Sequence, residues 1–172
     1  PEHWHSNPDF YYQPGGGPLL DMGPYYLSTI IQCLGPIRSV QGRAISGFPE
    51  RVVTNEEAGH KVIPVNTPTY YSGSLETVSG ALVDLEFSFD HKFRVGDPSR
   101  VEFHGTKGTL MAPDPNGFEG DILINQEYPP QPYVLAEQSH DYPSGRGLGL
   151  LDMVDAIREG REPRVSGSIA YH

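Results

Sequence analysis

The sequence predicts an α+β fold, an open and mostly antiparallel β-sheet with helices packed on one face. Glycine and proline are abundant, with 20 and 17 residues, and they separate short segments of alternating apolar residues, which is typical of strands and turns. One longer segment instead has apolar residues at spacings of three, four and seven, as an amphipathic helix requires. The 172 residues are enough for one substantial core, so we expect a single domain over 1–172.

The first helix is predicted to begin after the glycine turn Gly15–Gly17 and to end at Gly35. Glycines let the backbone turn tightly, and Pro18 suits the first helical position because its missing N–H costs nothing there. The only cysteine, Cys33, excludes an internal disulfide and is expected in the core. The apolar stripe of this helix consists of Leu20, Leu27, Ile30, Ile31 and Leu34.

Most of the remaining chain is predicted as strands joined by turns. In 81–89, apolar residues alternate with polar ones, which predicts a strand with one wet face. The polar stretch 48–61 is interpreted as a loop, and the proline-rich stretch 128–133 as an extended edge. Residues 150–159 predict a late amphipathic helix, and Ser166 is expected to cap the next one. The predicted strands are 37–45, 69–77, 81–89, 100–105, 109–112 and 120–125.

The charge of the chain excludes several classes of partner. A formal net charge of −10 and a pI of about 5.0 argue against binding to nucleic acid or to an anionic membrane, because both need clustered Lys and Arg. No apolar run approaches the roughly 20 residues that span a bilayer, and no signal peptide is visible. We expect a cytoplasmic protein. Because the chain begins without Met and stops at an apparent helix start, we also expect it to be truncated at both ends.

Asp21 and Tyr25 are the first candidates for a functional site. Residues four apart lie one above the other on a helix, so a carboxylate and a phenol would point into the same space near the glycine turn. Tyr25 could donate a hydrogen bond. A phenol has an ordinary pKa of about 10, so it needs a nearby cation to act as a base. Alternatively, Asp21 only satisfies N–H groups at the helix N-terminus, and Tyr25 belongs to the core while Tyr26 faces the cleft.

The opening segment is rich in aromatic rings and polar tips, which is the chemistry of a sugar-binding wall. Such a segment could also be a loose tail. His3, His5 and Asp9 could supply metal ligands, but no second cluster of suitable spacing accompanies them, so we expect no metal site. The substrate-binding candidates in this segment are Trp4, His5, Asn7 and Tyr11.

A longer string of residues resembles a known family. The chain has Gly15–Gly17, an apolar pair at Leu19 and Leu20, then Asp21-Met22-Gly23-Pro24-Tyr25, and a helix ending in Leu34-Gly35. This string is similar to the signature of the C-terminal, substrate-side domain of the Gfo/Idh/MocA oxidoreductases, which are NAD(P)-dependent sugar and polyol dehydrogenases. Many members carry a catalytic histidine where this chain has Tyr25.

The resemblance implies a role for this chain within a larger enzyme. It implies that Asp21 and Tyr25 are catalytic and that Gly16 and Gly17 line the substrate side with the aromatic segment. It also implies a sugar or polyol substrate and a homo-oligomer that forms through the sheet face. NAD or NADP would bind a Rossmann domain, whose Gly-x-Gly-x-x-Gly fingerprint is absent from this chain. We therefore expect the isolated chain to bind no cofactor and to be inactive.

Two other interpretations remain open at this stage. The chain could be a non-catalytic carbohydrate-binding module that uses its aromatic segment alone, or an oligomerisation module in which the tyrosines are only core. A Rossmann fingerprint upstream would favour the enzyme. Normal activity of the parent protein after Asp21→Asn and Tyr25→Phe would favour the oligomerisation module.

Overall fold

The computed structural model describes residues 1–91, 101–129, 134–135 and 145–172. The contacts divide the chain into two compact units, Pro1–Arg94 and Val95–His172. The expectation of a single domain over 1–172 stays a prediction. The α+β fold class is confirmed, and the strand pairs among the described residues are antiparallel.

Helix α1 (Pro18–Leu34) of the first unit begins and ends where the sequence predicts. The flanking residues Gly17 and Gly35 have φ angles of 93° and 86°, a region that side chains rarely adopt and glycine adopts freely. The expectation that Cys33 lies in the core is wrong, because this residue is exposed near the end of the helix. Helical spacing alone did not show which side of the last turn faces the sheet.

The described residues of the first unit form two antiparallel sheets. The larger has the order β1-β4-β5 and the smaller pairs β2 with β3. Two short 3₁₀ helices, Pro8–Tyr12 and Glu56–Ala58, complete the unit. Its strands are β1 (Ile37–Ile45), β2 (Glu50–Val52), β3 (Val62–Pro64), β4 (Tyr70–Thr77) and β5 (Leu82–Ser88).

Helix α1 packs against β4 and β5. The Tyr26 ring meets the Phe87 ring edge-on, with 5.8 Å between centroids, and Leu75 is buried on the same side of the sheet. The predicted alternation in β5 is confirmed, since Asp84 and Glu86 are exposed while Phe87 is buried. A helix layer therefore covers part of the apolar face of β4 and β5.

The interpretation of 48–61 as a loop is wrong in part. This stretch contains β2 and the 3₁₀ helix Glu56–Ala58, and β3 follows it directly. Val53 and Ile63 are fully buried and form a small core with Tyr11 and Tyr12. Strands of three residues are too short for an alternating pattern to be visible in the sequence.

The second unit contains a four-stranded antiparallel sheet with the order β6-β7-β8-β9. Helix α2 (Leu148–Glu159) confirms the predicted late helix, and the Ser166 hydroxyl caps α3 (Gly167–Tyr171) by accepting from the Ile169 N–H at 3.5 Å. Residue 100 and most of the proline-rich stretch, 130–133, lie outside the described residues. The strands are β6 (Val101–Gly105), β7 (Gly108–Ala112), β8 (Leu123–Asn125) and β9 (Val134–Leu135).

Within the described ranges, none of the helices has the length and apolar character needed to cross a bilayer.

Candidate substrate site

The glycine turn before α1 is tightly packed. The Gly16 N–H donates to the Gln13 carbonyl and the Gly17 N–H to the Tyr11 carbonyl, both at 2.8 Å. A Cβ added at Gly16 would lie 2.3 Å from the Phe10 carbonyl oxygen, a distance that no real Cβ contact reaches. The turn therefore requires glycine because the preceding 3₁₀ helix lies directly against it.

This turn does not fit the phosphates of a dinucleotide. A phosphate cradle needs free backbone N–H groups after a strand, but both N–H groups above are already used and the turn follows a 3₁₀ helix. A Cβ added at Gly17 would lie 2.9 Å from the Pro68 carbonyl oxygen, so carbonyl oxygens face the turn, and the carboxylate of Asp21 lies in the first turn of α1. These groups would repel a phosphate.

Asp21 lies half-buried in the first turn of α1, where its own N–H donates to the Gly17 carbonyl at 3.1 Å. Burial raises the pKa of its carboxyl group. Burial also raises the pKa of the Tyr11 phenol, and the negative charge of Asp21 raises it further. A carboxylate with a raised pKa is a better proton acceptor than an ordinary one, while Tyr11 keeps its proton and can donate a hydrogen bond.

The two adjacent tyrosines of α1 have different surroundings. Tyr26 packs against Phe87, whereas Tyr25 is 46% exposed. Tyr25 therefore lies on the solvent side of the helix, and Tyr26 on the sheet side. The phenol whose pKa responds to Asp21 is that of Tyr11, which the sequence placed among the substrate-binding residues. A catalytic role for Tyr25 stays a prediction.

The opening segment forms an aromatic cluster of four rings, Trp4, His5, Phe10 and Tyr11. The His5 ring centroid lies 5.3 Å from those of Trp4 and Phe10 and 5.4 Å from that of Tyr11, with the rings edge-on. Trp4 is 63% exposed and Phe10 is 52% exposed, so apolar ring surface remains free. The structure thus brings together three of the four sequence candidates in this segment.

The fourth candidate, Asn7, contributes through its backbone. Its N–H donates to Nδ1 of His5 at 2.9 Å, so the proton of a neutral His5 ring lies on Nε2. The segment is also fastened to the rest of the unit, because the Glu2 carbonyl accepts from the N–H groups of Thr54 and Asn55 at 3.0 and 3.1 Å. The opening segment is therefore an ordered part of the first unit.

The residues considered as metal ligands have other partners. His3 contacts the Thr54 hydroxyl, His5 accepts from Asn7, and Asp9 pairs with Lys61. Among the described residues, His, Cys, Asp and Glu form no group of three that could hold a metal ion.

An ionic network of Glu2, Arg51 and Asp90 lies beside the aromatic cluster. Arg51 donates to the Glu2 carboxylate at 3.2 Å and also pairs with Asp90. The Tyr12 hydroxyl donates to Glu2. Burial would raise the pKa of Glu2, yet the hydrogen bonds that it accepts, that from Tyr12 first, hold this pKa below its ordinary value.

No pattern in the sequence indicated this network. Its members lie far apart in the chain, and Arg51 occurs in a stretch whose polar composition resembles a loop. Arg51 lies between Glu50 and Val52, both of which are exposed, so no local pattern marked it as buried.

The first 111 of the 172 residues match the family described as the GFO/IDH/MocA C-terminal domain. The chain belongs to this family. The match covers the glycine turn, α1, the aromatic cluster and the ionic network. No curated protein matches the chain significantly.

Solved structures with the same fold include several oxidoreductases of the family type. An oxidoreductase domain protein from Kribbella flavida is 22% identical to this chain, with a TM-score of 0.65. The match covers 95% of this chain and 50% of the Kribbella protein. A levoglucosan dehydrogenase in complex with NADH and L-sorbose is 16% identical, with a TM-score of 0.67. The match covers 92% of this chain and 48% of the dehydrogenase.

An aldose-aldose oxidoreductase from Caulobacter crescentus, complexed with glycerol, is 19% identical, with a TM-score of 0.62. The match covers 90% of this chain and 41% of the oxidoreductase. At these identities the likeness shows the fold. The chain spans about half the length, or less, of these three proteins.

Proposed function

We propose that this chain is the substrate-side domain of an NAD(P)-dependent oxidoreductase that oxidises a hydroxyl-bearing carbon of a sugar or polyol. The observation that carries the proposal is the half-buried Asp21 carboxyl after the glycine turn, whose raised pKa comes from burial and whose charge raises the pKa of the Tyr11 phenol in the aromatic cluster. The family of the chain and the NADH complexes of its structural relatives support it.

In this proposal Asp21 accepts a hydrogen bond from the reacting hydroxyl group and takes its proton. Burial favours this role because it destabilises the ionised carboxylate and so increases its basicity. Tyr11 keeps its proton and donates to a neighbouring substrate oxygen. The nicotinamide nucleotide supplies the hydride acceptor, and a part of the parent protein other than the glycine turn holds it, because that turn does not fit its phosphates.

The aromatic cluster is proposed to bind the carbon skeleton of the substrate. Trp4 and Phe10 expose ring surface on which the C–H face of a sugar can pack, as aromatic residues commonly do in binding sites. The Nε2–H group of His5 and the amide of Asn7 offer donors to hydroxyl groups. Gly16 and Gly17 support this wall by allowing the 3₁₀ helix to lie against α1.

We also propose that the parent protein is cytoplasmic and self-associates through its β-sheet. The polar face of β4 and β5, opposite α1, is available for this contact within the first unit, and Asp84 is exposed there.

The Asp21→Asn variant of the full-length protein tests the proposed role of the carboxyl group. With a panel of sugars and polyols, we expect nicotinamide reduction to fall by about 100-fold in kcat, since general base catalysis contributes at least about that factor. The substitution is isosteric, so the fold is retained. The matched control is Asp121→Asn, an exposed aspartate of the second unit, which is expected to keep the parental rate. A parental rate in Asp21→Asn would disprove the role.

The same assay identifies the catalytic phenol. Tyr11→Phe and Tyr25→Phe each remove one hydroxyl, and we expect the larger loss from Tyr11→Phe. The reverse order would return the role to Tyr25, as the family resemblance implies.

A carbohydrate-binding module remains the second candidate, because Trp4 and Phe10 are exposed in an ordered segment. Calorimetric titration with sugars separates the two functions. Tight sugar binding with no nicotinamide reduction under any condition would favour the module.

A further inference from the structure

The guanidinium group of Arg51 joins three segments of the first unit. From β2, Nη1 donates to the Glu2 carboxylate at 3.2 Å, and Nη2 donates to the Phe89 carbonyl at 2.9 Å and to Asp90. The opening segment, β2 and the residues that follow β5 therefore share one side chain. An arginine can do this because its planar fork holds several donors in fixed directions.

The guanidinium group is also held by aromatic rings. It lies over the Tyr12 ring at 5.5 Å and over the Phe48 ring at 5.0 Å from the centroids. The Arg51 side chain is only 6% exposed. Hydrogen bonds and the two ring contacts therefore leave this group little freedom to move.

Three contacts of Arg51, with Glu2, the Phe89 carbonyl and the Tyr12 ring, lead to the 3₁₀ helix that carries Tyr11. The Phe89 ring meets the Tyr11 ring at 5.8 Å and the Tyr12 ring at 6.1 Å, both edge-on. Glu2 accepts from the Tyr12 hydroxyl. The position of Tyr11 thus depends on Tyr12 and Phe89, and Arg51 fixes both.

Asp90 extends the same arrangement to the start of β4. Its carboxylate accepts from the Thr69 hydroxyl at 2.9 Å and from the Gly47 N–H at 3.1 Å, and Thr69 is fully buried. Arg51 brings its positive charge to two carboxylates, those of Glu2 and Asp90. Buried ion pairs are often no more stabilising than apolar residues of similar size, and directional hydrogen bonds are what they supply in addition.

We propose that Arg51 is a positioning residue of the substrate site, whose fork fixes the Tyr11 ring within the aromatic cluster. The consequence for turnover rests on the proposed function. The placement of Tyr11 does not, and it can be measured separately.

The test is Arg51→Lys in the full-length protein with 3-fluorotyrosine incorporated at Tyr11. Lysine keeps the charge but loses the planar fork, so it cannot reach Glu2, the Phe89 carbonyl and Asp90 together. We expect the fluorine resonance of Tyr11 to shift or broaden, and kcat to fall by about tenfold because small displacements are costly in catalysis. The KM for the nucleotide is expected to stay within about twofold, because in the proposed function a part of the parent protein other than the glycine turn holds the nucleotide.

Arg38→Lys is the matched control. Arg38 pairs with Glu76 but its side chain is 55% exposed, so the same substitution there should leave both the Tyr11 resonance and kcat unchanged. An unchanged Tyr11 resonance in Arg51→Lys would overturn the proposal, as would an equal effect of Arg38→Lys.

A second variant separates positioning from charge balance and also covers a failure of Arg51→Lys to fold. The triple variant Glu2→Gln, Arg51→Met, Asp90→Asn removes the three side-chain charges together. We expect its thermal unfolding midpoint to recover to near that of the parent protein. The Tyr11 resonance should stay displaced from its position in the parent protein. Recovery of the parental resonance would show that Arg51 only balances charge and would overturn the proposal. If Asp21→Asn kept full activity, the proposed function would fail. The fluorine resonance of Tyr11 would still decide whether Arg51 positions Tyr11.

Discussion

Two arginine–carboxylate pairs of the first unit have the same chemistry and opposite surroundings. Arg51 pairs with Glu2 and Asp90 with its side chain 6% exposed, whereas Arg38 on β1 pairs with Glu76 on β4 with its side chain 55% exposed. In water the exposed pair is screened, and such pairs contribute about 0–1 kcal/mol. Inside the protein, removing one partner leaves an uncompensated charge, which costs about 3–5 kcal/mol.

The comparison shows that burial, more than residue type, decides what an ion pair does. The exposed pair fastens two strands that already share a hydrogen-bonded ladder. The buried pair joins segments that share no ladder, and its neighbours carry the candidate site. Three predictions test this difference, in addition to those on Asp21 and on the position of Tyr11.

The largest effect is expected from Arg51→Met. The substitution keeps much of the volume but leaves Glu2 and Asp90 without their cation, so the free energy of unfolding should fall by about 3–5 kcal/mol. Urea denaturation followed by circular dichroism measures the change. A loss below about 1 kcal/mol would place this pair in the same class as exposed ones.

An intermediate effect is expected from Glu2→Gln, and it should depend on pH. At pH 7 the loss of a charged hydrogen-bond acceptor costs about 1.5–3 kcal/mol, because Arg51 keeps Asp90 and the Phe89 carbonyl. The folded pKa of Glu2 is lowered from its ordinary value of 4.5. The carboxylate therefore contributes its stability above that value and loses it as the pH falls through the folded pKa.

The difference in unfolding free energy between the parent and Glu2→Gln should therefore narrow as the pH falls below 4.5. Denaturation at a series of pH values measures it. Glu76→Gln, which removes the carboxylate of the exposed pair, is the matched control for the size of the effect at pH 7. A difference that stayed constant into the acid range would contradict the lowered pKa.

The smallest effect is expected from Arg38→Met. Its partner Glu76 remains in contact with water and with the Ser39 hydroxyl, which donates to it at 3.3 Å, so the unfolding free energy should change by less than about 1 kcal/mol. Raising the salt concentration should reduce even this change, because exposed charges are screened. A loss equal to that of Arg51→Met would erase the contrast between the two pairs.

Much of the fold could be predicted from the sequence because its signals are local. Pro18 at a helix start, Gly35 at a helix end and the alternation in β5 each act over a few neighbouring residues. The short strands β2 and β3 were missed because three residues do not display a period. Cys33 was misplaced because helical spacing does not show which part of a helix the sheet covers.

The candidate site could be predicted only in part. Asp21 and the aromatic residues of the opening segment were identified from their types and from the glycine turn. The effect of the Asp21 charge on the pKa of Tyr11 was not, because these residues lie on different elements and no spacing rule links them. Arg51, Phe89 and Asp90 were missed for the same reason.

By itself, the sequence determined the α+β class, the bounds of α1 and the resemblance to the family, since these depend on patterns along the chain. Only the tertiary structure decided which tyrosine of α1 packs on the sheet and which arginine is buried. Those outcomes depend on contacts between segments far apart in the chain, where burial changes the strength of a charge and the pKa of an acid.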